Sequence, residues 1–245
     1  MLLTLMFHNV IKAECADFTA QLERYLEALS ERYKIVVPGE PLKWHKLSIC
    51  LTFDDAYADF YHIVFPILKR LNVRAVLAVP TAYILEDTAE DMASRLAIAP
   101  LTAMNEGMWQ QASLCTWQEL SEMVNSGHVV IASHTQHHIS AKDPKLDMIQ
   151  QYVESKRILE QKLQIEIDTF IYPFGDFTSV AQQALSQHYR YVMRIHNAIN
   201  FNWGGRSQLL YRKNGDQLCQ QQRLPDTRML TYFVLKWAYH RLRGQ

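Results

Sequence analysis

Residues 128–138 read HVVIASHTQHH, and this stretch decides the fold class. Val129, Val130, Ile131 and Ala132 form a continuous apolar run without polar alternation. A strand of that kind is buried on both faces, as strands are in a parallel sheet covered by helices. The run then breaks into polar residues that include three of the chain's ten histidines, His134, His137 and His138. A buried strand ending in titratable side chains fits parallel α/β proteins, whose chemistry collects at the carboxyl ends of the strands.

The same grammar extends in both directions. Apolar, strand-like runs are expected at 2–7, 34–37, 47–53, 74–79, 128–132, 169–172 and 189–195. Between them lie helical patterns. Residues 17–33 place Phe18, Leu22, Tyr25, Leu26 and Leu29 on one face. Thr116-Trp117-Gln118-Glu119 is a capping box with Gly127 as the stop, and Asp143-Pro144 supplies an N-cap and N1 proline for a helix to about residue 163. Strands alternating with helices seven or so times predict a distorted (β/α) barrel of about seven parallel strands. The chain reads as one domain over 1–245, with an insertion at about 81–114 and a C-terminal helix at about 229–243. Residues 197–228 show no clear period and receive no element.

Composition narrows the function. With 245 residues, 49% of them hydrophobic, the chain can bury a large core. Lys and Arg total 25, as do Asp and Glu, and no block of like charge stands out, which argues against a nucleic-acid partner. The four cysteines, Cys15, Cys50, Cys115 and Cys219, are far apart and form no CxxC, so reduced buried thiols are expected. The opening MLLTLMFHNV lacks a basic n-region and a cleavage site, and no apolar run reaches the roughly 20 residues of a membrane span. As the sequence stands, the expected location is cytoplasmic.

The strand ends carry the chemistry. The run at 2–7 ends at His8, 47–53 at Asp54-Asp55, 128–132 at His134 with His138 four residues on, 169–172 at Pro173-Phe174-Gly175-Asp176, and 189–195 at His196. Each has a structural reading: His8 or His196 as hydrogen-bonded strand-end residues, Asp54-Asp55 as a cap for the helix carrying Tyr57, Phe60, Val64 and Leu68. Together those readings require several coincidences at one rim. Two imidazoles and a carboxylate suffice for a mononuclear metal site that keeps a position open for water. His134, His138 and one of the two aspartates supply that set, and the other aspartate is left as a general base.

LTFDDAYADF at 51–60, SHTQHH at 133–138 and IYPFGDF at 171–177, in this order and spacing, resemble the polysaccharide deacetylase family with the NodB-homology domain. The resemblance covers roughly residues 1–195. It implies a NodB-like barrel with Asp54 as base, and Asp55, His134 and His138 as ligands of one divalent ion, Zn²⁺ first, with Co²⁺, Ni²⁺ or Mn²⁺ as substitutes. Thr135 matches the Ser/Thr slot that fixes the ligand loop, and His137 falls between the motif positions. The segment TLMFHNV at 4–10 is similar to that of the poly-N-acetylglucosamine deacetylases, which implies His8 as general acid. The Pro-aromatic pair implies the Phe174 backbone N–H at the oxyanion. Tyr172, Pro173, Asp176 and His196 complete the expected rim as supporting or substrate-binding residues. Two positions depart from the family pattern: Ala56 follows the aspartates where glycine is usual, and Ile171 stands where many relatives have an arginine that orients the base. A Leu-x-x-His motif is not legible, which leaves His196 as the rival acid.

The implied activity is removal of N-acetyl groups from a GlcNAc-type glycan or glycoconjugate. O-deacetylation, a non-sugar amide substrate and a weakly catalytic carbohydrate-binding relative are the alternatives. The tail MLTYFVLKWAYHRLRGQ, residues 229–245, mixes aromatic and basic residues. It reads as a closing helix packed on the barrel, or as one making weak contact with a membrane surface.

Overall fold

The computed structural model describes residues 1–11, 17–43, 45–97, 113–204 and 209–242, with side chains described as far as Tyr239. Eight parallel strands form one sheet: β1 (Leu2–Phe7), β2 (Lys34–Ile35), β3 (Ser48–Phe53), β4 (Ala75–Val79), β5 (Val129–Ser133), β6 (Thr169–Ile171), β7 (Tyr191–Ile195) and β8 (Leu209–Asn214). Their order is β1-β8-β7-β6-β5-β4-β3-β2, and β1 also pairs with β3 from Leu2↔Ser48 to Phe7↔Phe53. That pairing closes seven strands into a barrel and leaves the two-residue β2 attached outside the ring along β3. The expected seven-strand barrel is therefore the observed one. Its seventh strand differs: the run at 34–37 contributes only β2, and the ring is completed by β8, from the segment without a readable period.

Alternation along the strands divides the interior in two. Leu2, Cys50, Val76, Ala78, Ala132, Ile171, Met193 and Leu210 point into the barrel. The intervening residues, among them Leu5, Phe7, Leu51, Phe53, Leu77 and Ile131, face the helical shell in a larger core. The shell begins with α1 (Phe18–Arg32), whose buried residues are the five expected from the sequence. A π-helical turn at Phe60–Val64 leads into α2 (Phe65–Leu71), and α3 (Met92–Ala97) opens the insertion. Residues 98–112 of that insertion lie outside the described residues.

The capping box forms as expected: Thr116 Oγ1 accepts from Glu119 N and Glu119 Oε2 from Thr116 N, starting α4 (Trp117–Asn125). Asp143-Pro144 does not open a helix. Asp143 is spent on a turn, accepting from Lys145 N. Asp147 instead accepts from Ile149 N and Gln150 N, and the helix begins with a π turn at Ile149–Glu154 before α5 (Ser155–Leu163). The remaining helices are α6 (Ser179–His188), α7 (Gly215–Gln220) and α8 (Thr227–Leu242). Cys50, Cys115 and Cys219 are buried thiols with no disulfide among the described residues, and Cys15 lies outside them.

Candidate active site

The ladder of β1 and β3 runs one residue beyond the strands, since Asp54 N donates to Phe7 O at 2.9 Å. It seats Asp54 beside the end of β1, where His8 follows. Asp55 then takes φ +74° and Ala56 φ +53°. Two successive non-glycine residues in the left-handed region are costly, and the turn they make aims Asp55 across the rim. Just past β5, His134 N donates to Val79 O, and the loop that follows again passes through positive φ, at Thr135 (+65°) and at His138 (+50°). Thr135 Oγ1 accepts from Ile139 N at 3.2 Å, and its carbonyl accepts from Ser155 Oγ at 3.1 Å, which braces the loop from both sides.

These turns bring Asp55, His134 and His138 together. One ligand atom from each lies within 4.8 Å of the others. Asp55 Oδ1 stands 3.1 Å from His138 Nε2 and 3.5 Å from His134 Nε2, is buried, and makes no hydrogen bond. A buried carboxylate oxygen left without a hydrogen bond costs roughly 1–3 kcal/mol or more unless a cation meets it. His134 Nδ1 lies 2.7 Å from the carbonyl of Ile171. A carbonyl only accepts, so Nδ1 carries the proton and Nε2 keeps its lone pair free toward Asp55. Two imidazole nitrogens and one carboxylate oxygen fit a divalent ion of the zinc type. His137 faces away, with its ring nitrogen 2.8 Å from Gln151 Nε2.

Asp54 is held by a residue the sequence reading missed. Arg212, on β8, is fully buried and forks onto it, Nη1 to Oδ1 at 2.6 Å and Nη2 to Oδ2 at 2.9 Å, while Nη1 also donates to Thr52 Oγ1 at 3.1 Å. Burial raises the Asp54 carboxyl, but the guanidinium, helped by His134, outweighs it and the net direction is down. Arg212 lies two residues after the inward-facing Leu210, so alternation aims it into the barrel beneath Asp54. Ile171, where many relatives have the arginine, also faces inward, two strands away. The cue was the strand at 209–214, whose charged second half hides its period.

Asp216 was missed for the same reason. It lies in the first turn of α7, two residues after β8, and its Oδ2 lies 3.3 Å from His8 Nδ1. Gly215 makes this approach feasible, because a Cβ there would sit 2.6 Å from the Phe7 ring. Burial lowers the His8 imidazole, yet the hydrogen bond to Asp216 and the charges of Asp54 and Asp55 raise it above its ordinary value. Asp59 fixes the chain just beyond, accepting from Val10 N at 2.5 Å and Ile11 N at 3.1 Å.

The rim opposite carries Phe174, whose backbone is left-handed (φ +59°) and whose ring is 55% exposed and edge-on to His138, centroids 4.7 Å apart. Pro173 and Tyr172 are buried beneath it, and the Tyr172 ring packs on Phe170 and Phe177, so it supports the rim from the core. Asp176 accepts from Ser140 Oγ at 2.6 Å and pairs with Lys142, tying this rim to the loop after His138. His196 packs its ring on Tyr211, centroids 5.3 Å apart. Tyr211 neighbours the inward Arg212 and by alternation faces out of the barrel.

The family model for polysaccharide deacetylase matches residues 43–192. The chain belongs to the polysaccharide deacetylase family. It is 25% identical over 177 residues to the poly-beta-1,6-N-acetyl-D-glucosamine N-deacetylase of Escherichia coli O157:H7, a match covering 61% of this chain and 25% of that protein. It is 33% identical over 97 residues to the protein of the same name in Escherichia coli strain K12, covering 40% of this chain and 13% of that one. The matches thus span a quarter or less of these curated relatives' length. Among solved structures, IcaB from Ammonifex degensii aligns with TM-score 0.67 at 19% identity, over 91% of this chain and 97% of that one. The Streptococcus pyogenes deacetylase PplD aligns with TM-score 0.62 at 21% identity, also over 91% and 97%. At these identities the structural likeness establishes the shared barrel.

Proposed function

We propose that this family member is a metal-dependent N-deacetylase acting on a GlcNAc-type polymer or glycoconjugate. The observation that carries the reading is the division of labour between adjacent aspartates: Asp55 faces two imidazoles with an unbonded buried oxygen, while Asp54 is turned away onto Arg212. The relatives named as poly-beta-1,6-N-acetyl-D-glucosamine N-deacetylases supply the substrate class.

A divalent ion held by Asp55, His134 and His138 would polarise the acetyl carbonyl and acidify a water beside it. Asp54, kept ionised by Arg212, accepts the proton of the attacking water. The Phe174 N–H meets the oxygen that gains charge. His8, whose imidazole Asp216 and the nearby carboxylates raise above its ordinary value, gives its proton to the departing amine, releasing acetate and a free amino sugar. Ile171 stands where many relatives have the arginine that orients the base, and Arg212 offers that donor from another strand.

The test is acetate release from N-acetylglucosamine oligomers, with metal content by elemental analysis, for the chain and for His134→Ala. The reading expects about one divalent ion per chain and free amine formed with acetate, both largely lost in the variant. Stoichiometric metal retained in His134→Ala, or acetate released without new amine, overturns it.

A further inference from the structure

The C-terminal helix α8 lies beyond the residues matched by the family model and takes no part in the site described above. Its Met229 and Phe233 are buried, as in a closing helix. Tyr232, Leu235 and Tyr239 are 52%, 65% and 48% exposed, and their spacing of three and four puts them on one outward face. Arg228 stands one turn before Tyr232 and Lys236 one turn after it, with the Lys236 ammonium 5.3 Å from the Tyr232 ring centre.

Beside this face, α8 stands off from the end of β8 and from α7 and leaves a cavity of about 560 Å³. Lys213, Arg223 and Arg228 line it together with Gln217 and Tyr232, and no Asp or Glu does so among the described residues. Arg223 is matched by Asp226 at 3.1 Å. Among the described residues Lys213 reaches the neutral Gln217, at 3.4 Å, and neither Lys213 nor Arg228 makes an ion pair within 4 Å of a described carboxylate, although Asp226 lies near enough to feel the Arg228 charge. Burial pushes the Lys213 amine down, Tyr232 opposes that and the neighbouring Lys236 adds to it, so an anion placed here relieves the crowding of the two ammonium groups.

The geometry points to a binding site for the phosphate of an anionic lipid surface: the phosphate enters between Lys213 and Arg228 while Tyr232, Leu235 and Tyr239 rest in the interfacial layer. A soluble phosphate would use the cations alone. An anionic surface engages the cationic cavity and the adjoining exposed aromatic and aliphatic face together.

Co-sedimentation of the full chain with vesicles tests this, using phosphatidylcholine alone and phosphatidylcholine containing phosphatidic acid, at about 50 mM and about 500 mM salt. Binding is expected to the anionic vesicles at low salt, and to be at least about tenfold weaker at high salt or on neutral vesicles. Each cation near such a surface contributes about fivefold, so Lys213→Glu/Arg228→Glu loses about 25-fold or more. Leu235→Ser, at a position 65% exposed and safe for folding, also weakens binding severalfold. Unchanged melting temperatures certify both variants. Equal partitioning of the chain and either variant overturns the proposal. So does a result in which inorganic phosphate raises the melting temperature through Lys213 and Arg228 while the chain ignores both kinds of vesicle, because the cavity is then a soluble-anion site.

Discussion

Arg212→Met removes the charge beneath Asp54 while keeping most of the side chain's volume. The guanidinium is fully buried and its two nitrogens lie 2.6 and 2.9 Å from the carboxylate oxygens. With charge centres about 4 Å apart and an effective dielectric constant near 20, the lost attraction is about 4 kcal/mol. That agrees with the roughly 3–5 kcal/mol measured when one partner of a buried pair is deleted and the other charge stays behind. Urea unfolding at neutral pH therefore shows Arg212→Met destabilised by about 3–5 kcal/mol, a large share of the roughly 5–15 kcal/mol a domain has. Removing both charges is milder: Arg212→Met/Asp54→Asn recovers at least about 1 kcal/mol relative to Arg212→Met alone, a coupling that independent sites do not show. Additive effects of the two substitutions, or a loss below about 1 kcal/mol for Arg212→Met, would refute the claim that Arg212 exists to hold Asp54.

Three further outcomes follow from the site. Asp54→Asn keeps its metal and loses acetate release by about 10²-fold or more, whereas Asp55→Asn loses metal as well; elemental analysis of both separates base from ligand. Asp216→Asn removes the main interaction raising the His8 imidazole; an acid that must be protonated then loses its proton earlier, and the alkaline limb of the pH–rate profile moves to lower pH, read by acetate release across about pH 5–9, a range that spans the ordinary histidine value of about 6.5. Gly175→Ala places a methyl 2.6 Å from Ile195 Cβ on a backbone at φ +69°, adding about 1 kcal/mol of left-handed strain to about 1–3 kcal/mol of overpacking; thermal unfolding measures the loss.

What could be read along the chain was whatever depends on neighbours in sequence. The apolar run before His134, the face of α1 and the Thr116–Glu119 capping box are local patterns, and each has its structural counterpart. Asp54, Asp55, His134 and His138 were legible because strand ends of a parallel barrel share one rim, so order alone brings them near one another. Asp143-Pro144 shows the limit even locally: its capping chemistry is sound, but Asp147 four residues on offers the same oxygen to the helix that forms. The partners of the site lay outside any local rule. Arg212 lies 158 residues from Asp54, and Asp216 lies 208 from His8. A charged side chain in a strand is a core residue only if the barrel closes around it and a carboxylate meets it there. Closure is set by the pairing of β1 with β3 and of β1 with β8. The sequence by itself determined which groups stand on the rim; the tertiary structure decided which of them are held, by which buried charge, and facing what.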